Sequence, residues 1–281
     1  GGSGTGAAGT GTGTGTQSGG VLNVGGPFVV GLATAHTATY TMTGGLINHT
    51  GSDVSVGESG TGTLTVGIGG EIHDTSGGQF FVGRNDGSVG MAEINGLLMR
   101  TAANPIRVGN GNTGGVDNTN GVGVLGGSGV VSTAGGVRIG TLGTLTGGRL
   151  DTVGTLTLGG DLSFSLGGKL FANFNTTGGV DRIDVTGSVN IDGAILDGEW
   201  NGGLISQNDR YWLIDNDGID LIGGFFANTT LTAEHAALFP TASAFVTISG
   251  QEFALYYNAD IDTNALEGGN DLLLLAAVPE R

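Results

Sequence analysis

The sequence predicts an all-β protein, a right-handed parallel β-helix of about 26 residues per rung closed by a C-terminal β-rich cap or domain. Three observations carry this: Val-Gly pairs return at one fixed spacing, apolar residues alternate within short runs, and glycine punctuates those runs. Val30-Gly31, Val56-Gly57, Val82-Gly83 and Val108-Gly109 are each 26 residues apart. A second set keeps the spacing: Met42, Ile68 and Ile94, then Gly44, Gly70 and Gly96, then Leu46, Ile72 and Leu98. A unit of this length cannot bury an apolar face alone, but stacked copies can. Like residues then stack at the strand spacing of about 4.8 Å. The right-handed sense follows from strand twist and the crossover rule. In this register Phe80 lies one rung above Val54 and Ile68 one rung above Met42, both buried, and Phe28, Phe80 and Phe81 all face inward.

Along the chain, residues 1–20 form a Gly/Thr-rich segment, and no charge occurs before Asp53. Residues 21–170 hold the solenoid repeats, interrupted at 109–121 by GNGNTGGVDNTNG, which reads as a loop protruding from one corner. After Ile139-Gly140 the units shorten to GTLTGGRL, GTLTLGGDL and SFSLGGKL, which suit narrower rungs or hairpins. Residues 171–281 read as a distinct β-rich domain with one short helix at Leu231–Phe239, ending in the apolar strand Leu272–Val278.

Composition narrows the class. There are 61 Gly and 4 Pro without a Gly-X-Y period, which excludes collagen, and 38% hydrophobic residues are too many for a disordered linker. With no Cys, neither a disulfide framework nor a thiolate metal site exists. The opening Gly1-Gly2-Ser3, without Met, suits a chain from which a leader has been removed. The net charge of −16 is concentrated late: residues 151–281 carry 18 acids against 4 bases, residues 1–150 carry 7 against 5. So acidic a chain repels nucleic acid and anionic lipid. Its longest apolar run falls short of the roughly 18 residues of a membrane helix.

Catalytic signatures are sparse, and no enzymatic activity is expected. His36, His49, His73 and His235 lack metal-ligand spacing and suit surface roles, with Glu234-His235 a solvated pair. No G-x-S-x-G elbow occurs. A lyase or hydrolase would draw on Arg84 and Asp86, with Arg100 and Arg107 on the next rung; the plainer reading of Arg84 and Asp86 is an exposed ion pair. Two acidic clusters suggest calcium: Asp215, Asp217 and Asp220, and Asp260 with Asp262, since hard oxygen ligands at alternate positions suit Ca²⁺. Ala265 stands where a calcium loop wants Gly, so Asx-rich turns are the plainer account.

Val56-Gly57-Glu58-Ser59-Gly60-Thr61-Gly62-Thr63-Leu64-Thr65, with DRIDVTGSVNIDGAIL, YWLIDNDGIDLIGGFFA and NDLLLLAAVPE, resembles bacterial surface proteins with autotransporter-type β-strand repeats and a PEP-CTERM-like sorting tail. Val278-Pro279-Glu280 stands where the sorting motif would start, with Arg281 replacing its second Pro. The resemblance implies export, residence on the cell surface or in extracellular matrix, and no shared catalytic residues. The expected function is therefore that of a secreted structural protein that polymerises head to tail. Its joints are the uncharged Gly11, Thr12, Thr14 and Thr16 at one end and the apolar Leu272, Leu273, Leu274 and Leu275 at the other. The alternative is an adhesin that binds exopolysaccharide through the 109–121 loop, with Trp200, Tyr211 and Trp212 as sugar platforms.

Overall fold

The computed structural model describes residues 11–109, 121–175, 178–200, 206, 208–217 and 220–277. The N-terminal ten residues, nearly all of the 109–121 loop and Val278-Pro279-Glu280 lie outside them. The described chain is a parallel β-solenoid of about seven turns. Strands β1 (Thr12–Val24) and β2 (Phe28–Val30) make the first turn, β3 (Thr37–His49) and β4 (Val54–Val56) the second, and β5 (Thr61–Asp74) and β6 (Phe80–Val82) the third. From the fourth turn each long strand divides in two. That turn comprises β7 (Val89–Ile94), β8 (Leu97–Arg100) and β9 (Ile106–Val108), and the fifth comprises β10 (Val122–Gly126), β11 (Val130–Thr133) and β12 (Val137–Ile139). The sixth holds β13 (Gly143–Thr146), β14 (Thr155–Gly159) and β15 (Leu162–Phe164); the seventh holds β16 (Lys169–Phe174), β17 (Arg182–Val185) and β18 (Val189–Asn190). An eighth turn begins with β19 (Ile195–Trp200) and β20 (Arg210–Asn216). Three walls result: one through β7, β10, β13, β16 and β19, a second through β8, β11, β14, β17 and β20, and a third running from β2 to β18. The shortened units after Ile139 are thus the three walls of one turn, not hairpins.

Alternation fills one continuous core. Val54, Phe80, Ile106 and Val137 stack in register, as do Val56, Val82, Val108 and Ile139, all buried. Phe80 does lie directly over Val54. The glycine after each third-wall valine turns the corner: Gly57 and Gly83 have φ of +73° and +74°, and a Cβ there would lie 2.4 and 2.1 Å from Val89 O and Val122 O. The backbone of the adjoining turn leaves no room for a side chain, which explains why Val-Gly recurs.

The register of the second set is corrected. Met42 pairs with Val66, not Ile68: β3 and β5 run 24 residues apart from Thr37–Thr61 to Met42–Val66, and the ladder shifts only beyond, between Met42 and Gly44. That bulge turns Ile68 outward to 90% exposure, and past it Ile47, rather than Leu46, stacks on Ile72. Phe81 is also corrected. It lies between the inward Phe80 and Val82, and alternation points it outward, where Arg84 covers it at 4.4 Å from the ring centroid.

Parallel pairing continues through β20, so the change of architecture falls after residue 216 rather than at 170. There β23 (Asp271–Ala276), introduced by α1 (Ala233–Leu238), β21 (Ala244–Ile248) and β22 (Gln251–Ala259), adds antiparallel to β20, and the sheet continues through β22 to β21. β21 returns to β19 of the first wall, where Ser249 Oγ accepts from Trp200 N at 3.2 Å and donates to Gly198 O. The helix expected at 231–239 is α1. Thr232 caps it by accepting from His235 N at 3.2 Å.

Candidate functional site: the two ends of the solenoid

The last turn is sealed. The cap sheet crosses from the second wall to the first, and its inner face (Leu272, Leu274, Phe253, Leu255, Val246 and Ile248) joins the main core. Its outer face carries Leu273, Leu275, Ala254, Tyr256 and Phe245 into a second cluster, packed against Phe239 and Leu266. Leu272–Leu275 are therefore corrected as an association site. All four are buried, and β23 is hydrogen-bonded along both edges, so it has no open edge to offer another chain. The expected aromatic platforms are likewise spent on the seal. Phe174, Trp200, Tyr211 and Phe253 cluster with ring centroids 5.2 to 6.4 Å apart, and Trp212 packs against the outer cluster. Burial, and then the charge of Asp209, push the Tyr211 hydroxyl up to about 12.

The first turn is built differently. Its inward positions are Gly13, Gly15 and Gln17, in register with Ala38, Tyr40 and Met42. Because Gly15 has no side chain, the Tyr40 ring moves into the vacated space; a Cβ at Gly15 would stand 2.6 Å from it. Tyr40 packs edge-on against Phe28 at 5.4 Å and donates its hydroxyl to Gln17 Oε1 at 3.1 Å. The Gln17 amide in turn donates to Leu46 O at 3.2 Å. Side chains thus plug the core, while the backbone stays open: among the described residues β1 pairs only with β3, and β2 only with β4. Gly11, Thr12, Thr14 and Thr16 are exposed along that free edge, together with Val21.

The carboxylate clusters are placed as turns. Asp260 accepts from Thr263 N at 2.9 Å, an Asx turn, and these bonds hold its carboxyl below the usual range. Asp262, Asp217 and Asp220 are exposed, while Asp215 lies beside Asp184 on the neighbouring strand. Burial first, then Asp184 and Asp271, push the Asp215 carboxyl up. No group of three His, Asp or Glu among the described residues is arranged to hold a metal ion.

Sequence reasoning missed a buried polar ladder. His49, Asp74 and Arg100 occupy one position on three successive turns and are fully buried. His49 Nδ1 lies 2.9 Å from Asp74 Oδ1 and Nε2 lies 2.9 Å from Gly26 O, while Arg100 donates to Asp74 Oδ2 and to Gly78 O. Burial alone would raise the Asp74 carboxyl, but bonds from His49 and Ser76 and the Arg100 charge outweigh it and hold it low. A surface role for His49 and a catalytic one for Arg100 are therefore corrected. Near-equal spacing, 49, 74 and 100, was the available signal. Arg84 bonds Asp53 and Glu58, both at 3.1 Å, rather than Asp86, and His235 faces Glu252 at 3.2 Å rather than Glu234. The lyase set is not brought together: Arg100 is interior, while Arg107 lies between inward Ile106 and Val108 on the outer face of the third wall. No protein-family model and no curated protein matches the chain.

Proposed function

We propose that this chain is a structural β-solenoid of a bacterial cell surface or extracellular matrix, joined to a second copy of itself through the open edge of its first turn. The observation that supports this reading is the inequality of the ends: the last turn is covered by a sheet and a helix, while among the described residues the first leaves the 13-residue β1 unpaired on one side. An unpaired strand edge is a template for another strand unless charge, proline or a bulge protects it. The bulge in β1 is shared with its partner strand, and no charged residue precedes Asp53. Two copies each carrying −16 meet there with the least repulsion. Since the other end is closed, the association favoured is head to head rather than an open head-to-tail filament. A two-fold axis through the bend of β1 and the middle of β2 sets each strand antiparallel to its copy, an isologous joint.

Sedimentation velocity across a wide concentration range tests the proposal. The parent is expected to dimerise, and Thr14→Lys with Val21→Lys, both exposed, is expected to give folded monomers. A parent that stays monomeric at millimolar concentration, or a double variant that associates as the parent does, overturns it.

A further inference from the structure

The outward side of the first wall begins with a lattice of one residue type. β1 presents Thr12, Thr14 and Thr16, β3 presents Thr37, Thr39 and Thr41, and β5 presents Thr61, Thr63 and Thr65. Pairing runs Thr12–Thr37–Thr61, Thr14–Thr39–Thr63 and Thr16–Thr41–Thr65, and the register shifts of both ladders fall only beyond these positions. The threonines therefore repeat about 4.8 Å apart across the strands and about 6.6 Å apart along them, twice the rise per residue. None of them is buried, and among the described residues no other group of the chain takes up their hydroxyls. The uniformity is confined to this patch. On the next two turns the same rows carry Val89, Met91 and Glu93, then Val122, Val124 and Gly126. Strand propensity alone does not demand threonine, since valine serves the same sheet equally well. The patch offers no ring for a sugar to stack on and no charge for an ion.

We propose that this face binds ice. A two-dimensional lattice of hydroxyls fits a partner that is itself periodic in two directions, and both spacings lie near those of the oxygen atoms on the prism face of ice. Threonine suits the contact. Its β-branch holds χ1 stiffly, so hydroxyl and methyl keep the lattice spacing with little further ordering on binding. The hydroxyls anchor waters by hydrogen bonds, and the methyls between them order the intervening waters at apolar surface. Water held in this lattice joins the crystal, and the ice front must then grow curved between bound molecules, which lowers its freezing point. The contact uses the side chains of a wall, whereas the joint proposed for the first turn is a backbone edge. The two proposals stand or fall separately, and the variants below leave β1 untouched.

The test is the gap between melting and freezing points of a seed crystal in a nanolitre osmometer, with the crystal's shape recorded. The parent is expected to arrest growth and to facet the crystal. Thr39→Lys and Thr63→Lys, each placing a long charged side chain in the lattice, are expected to lose at least tenfold of that gap. Thr39→Val/Thr63→Val, which keeps the shape and removes only hydroxyls, should lose less. Val130→Lys, exposed on the outer face of the second wall, should match the parent. Circular dichroism checks that the variants keep the parent fold, and the valine pair reads the lattice should lysine disturb it. Microcrystalline cellulose, another regular array of hydroxyls, is the competing probe. A parent that leaves ice crystals rounded at millimolar concentration, whether or not it sediments with cellulose, overturns the proposal. So does a lysine variant at Thr39 or Thr63 that equals the parent, or a Val130→Lys variant that loses as much as they do.

Discussion

Gly83 and Gly87 share a backbone angle, φ of +74° and +73°, but not their surroundings. A Cβ at Gly83 would stand 2.1 Å from Val122 O, whereas at Gly87 nothing lies within 4 Å. Alanine at Gly87 should therefore cost only the left-handed penalty, about 1–2 kcal/mol. Alanine at Gly83 carries that penalty and must also push apart two turns, so its cost should exceed that of Gly87→Ala by at least ~1 kcal/mol. Urea denaturation of the two variants measures the difference directly. Equal losses would mean that conformation alone, and not the packing of turn on turn, fixes the Val-Gly repeat. Gly15 is the same argument with a side chain as neighbour: there the missing Cβ admits Tyr40, and the first turn is plugged by a residue from the second.

At the scale of one element, the His49–Asp74–Arg100 ladder ties the second, third and fourth turns together and reaches Gly26 between β1 and β2. The imidazole faces a carboxylate through Nδ1 and a backbone carbonyl through Nε2, and so bridges the two. Removing one member leaves buried charge without its partner. His49→Ala should cost about 3–5 kcal/mol, and His49→Leu/Asp74→Leu/Arg100→Met should recover most of it, because apolar residues of similar volume avoid the desolvation altogether. Thermal melts of both variants check this; a triple variant no more stable than His49→Ala would show that the ladder contributes more than its charges cost. The ladder also shows where sequence reading stops. The 26-residue period of the third wall was legible from Val30 to Val108 because each Val-Gly corner must fit against the next turn; past Gly109 the inserted loop stretches the spacing to 31, at Val108–Ile139. In the long strands the spacing is 24 residues at Thr37–Thr61 and 25 at Ile47–Ile72, since a bulge absorbs the difference. A fixed period therefore put Ile68 inside and missed His49. The cap was legible as β structure and one helix, yet the burial of Leu272–Leu275 was not, because an apolar run reads alike whether it covers its own core or another chain's.

The whole molecule has two ends that answer pH in opposite directions. In the second to fourth turns Asp74 is held below its ordinary value of 3.8, chiefly by His49, Ser76 and Arg100 working against its burial. A lowered carboxylate contributes stability that is present above the ordinary value and lost as pH falls through the lowered one. Near the cap the sign reverses. Burial raises Asp271 despite bonds from the amides of Ile261 and Asn216, and burial, Asp184 and Asp271 raise Asp215 despite Arg182; Asp260 and Asp262 add to the repulsion. Asp181, which accepts from Thr146, Asn173 and Gly154 beneath the sixth and seventh turns, is raised by burial as well. These three contribute stability that is fully present below 3.8 and lost as pH rises through their raised values. Amide exchange, corrected for its intrinsic pH dependence, should therefore show protection in β20 and β23 increasing as pH falls toward 3.8, while β3, β5 and β8 are unchanged. Below that value β3, β5 and β8 should open first, with the cap still closed. Protection falling uniformly along the whole solenoid on acidification would show that it unfolds as one unit, its charge clusters too weak to divide it.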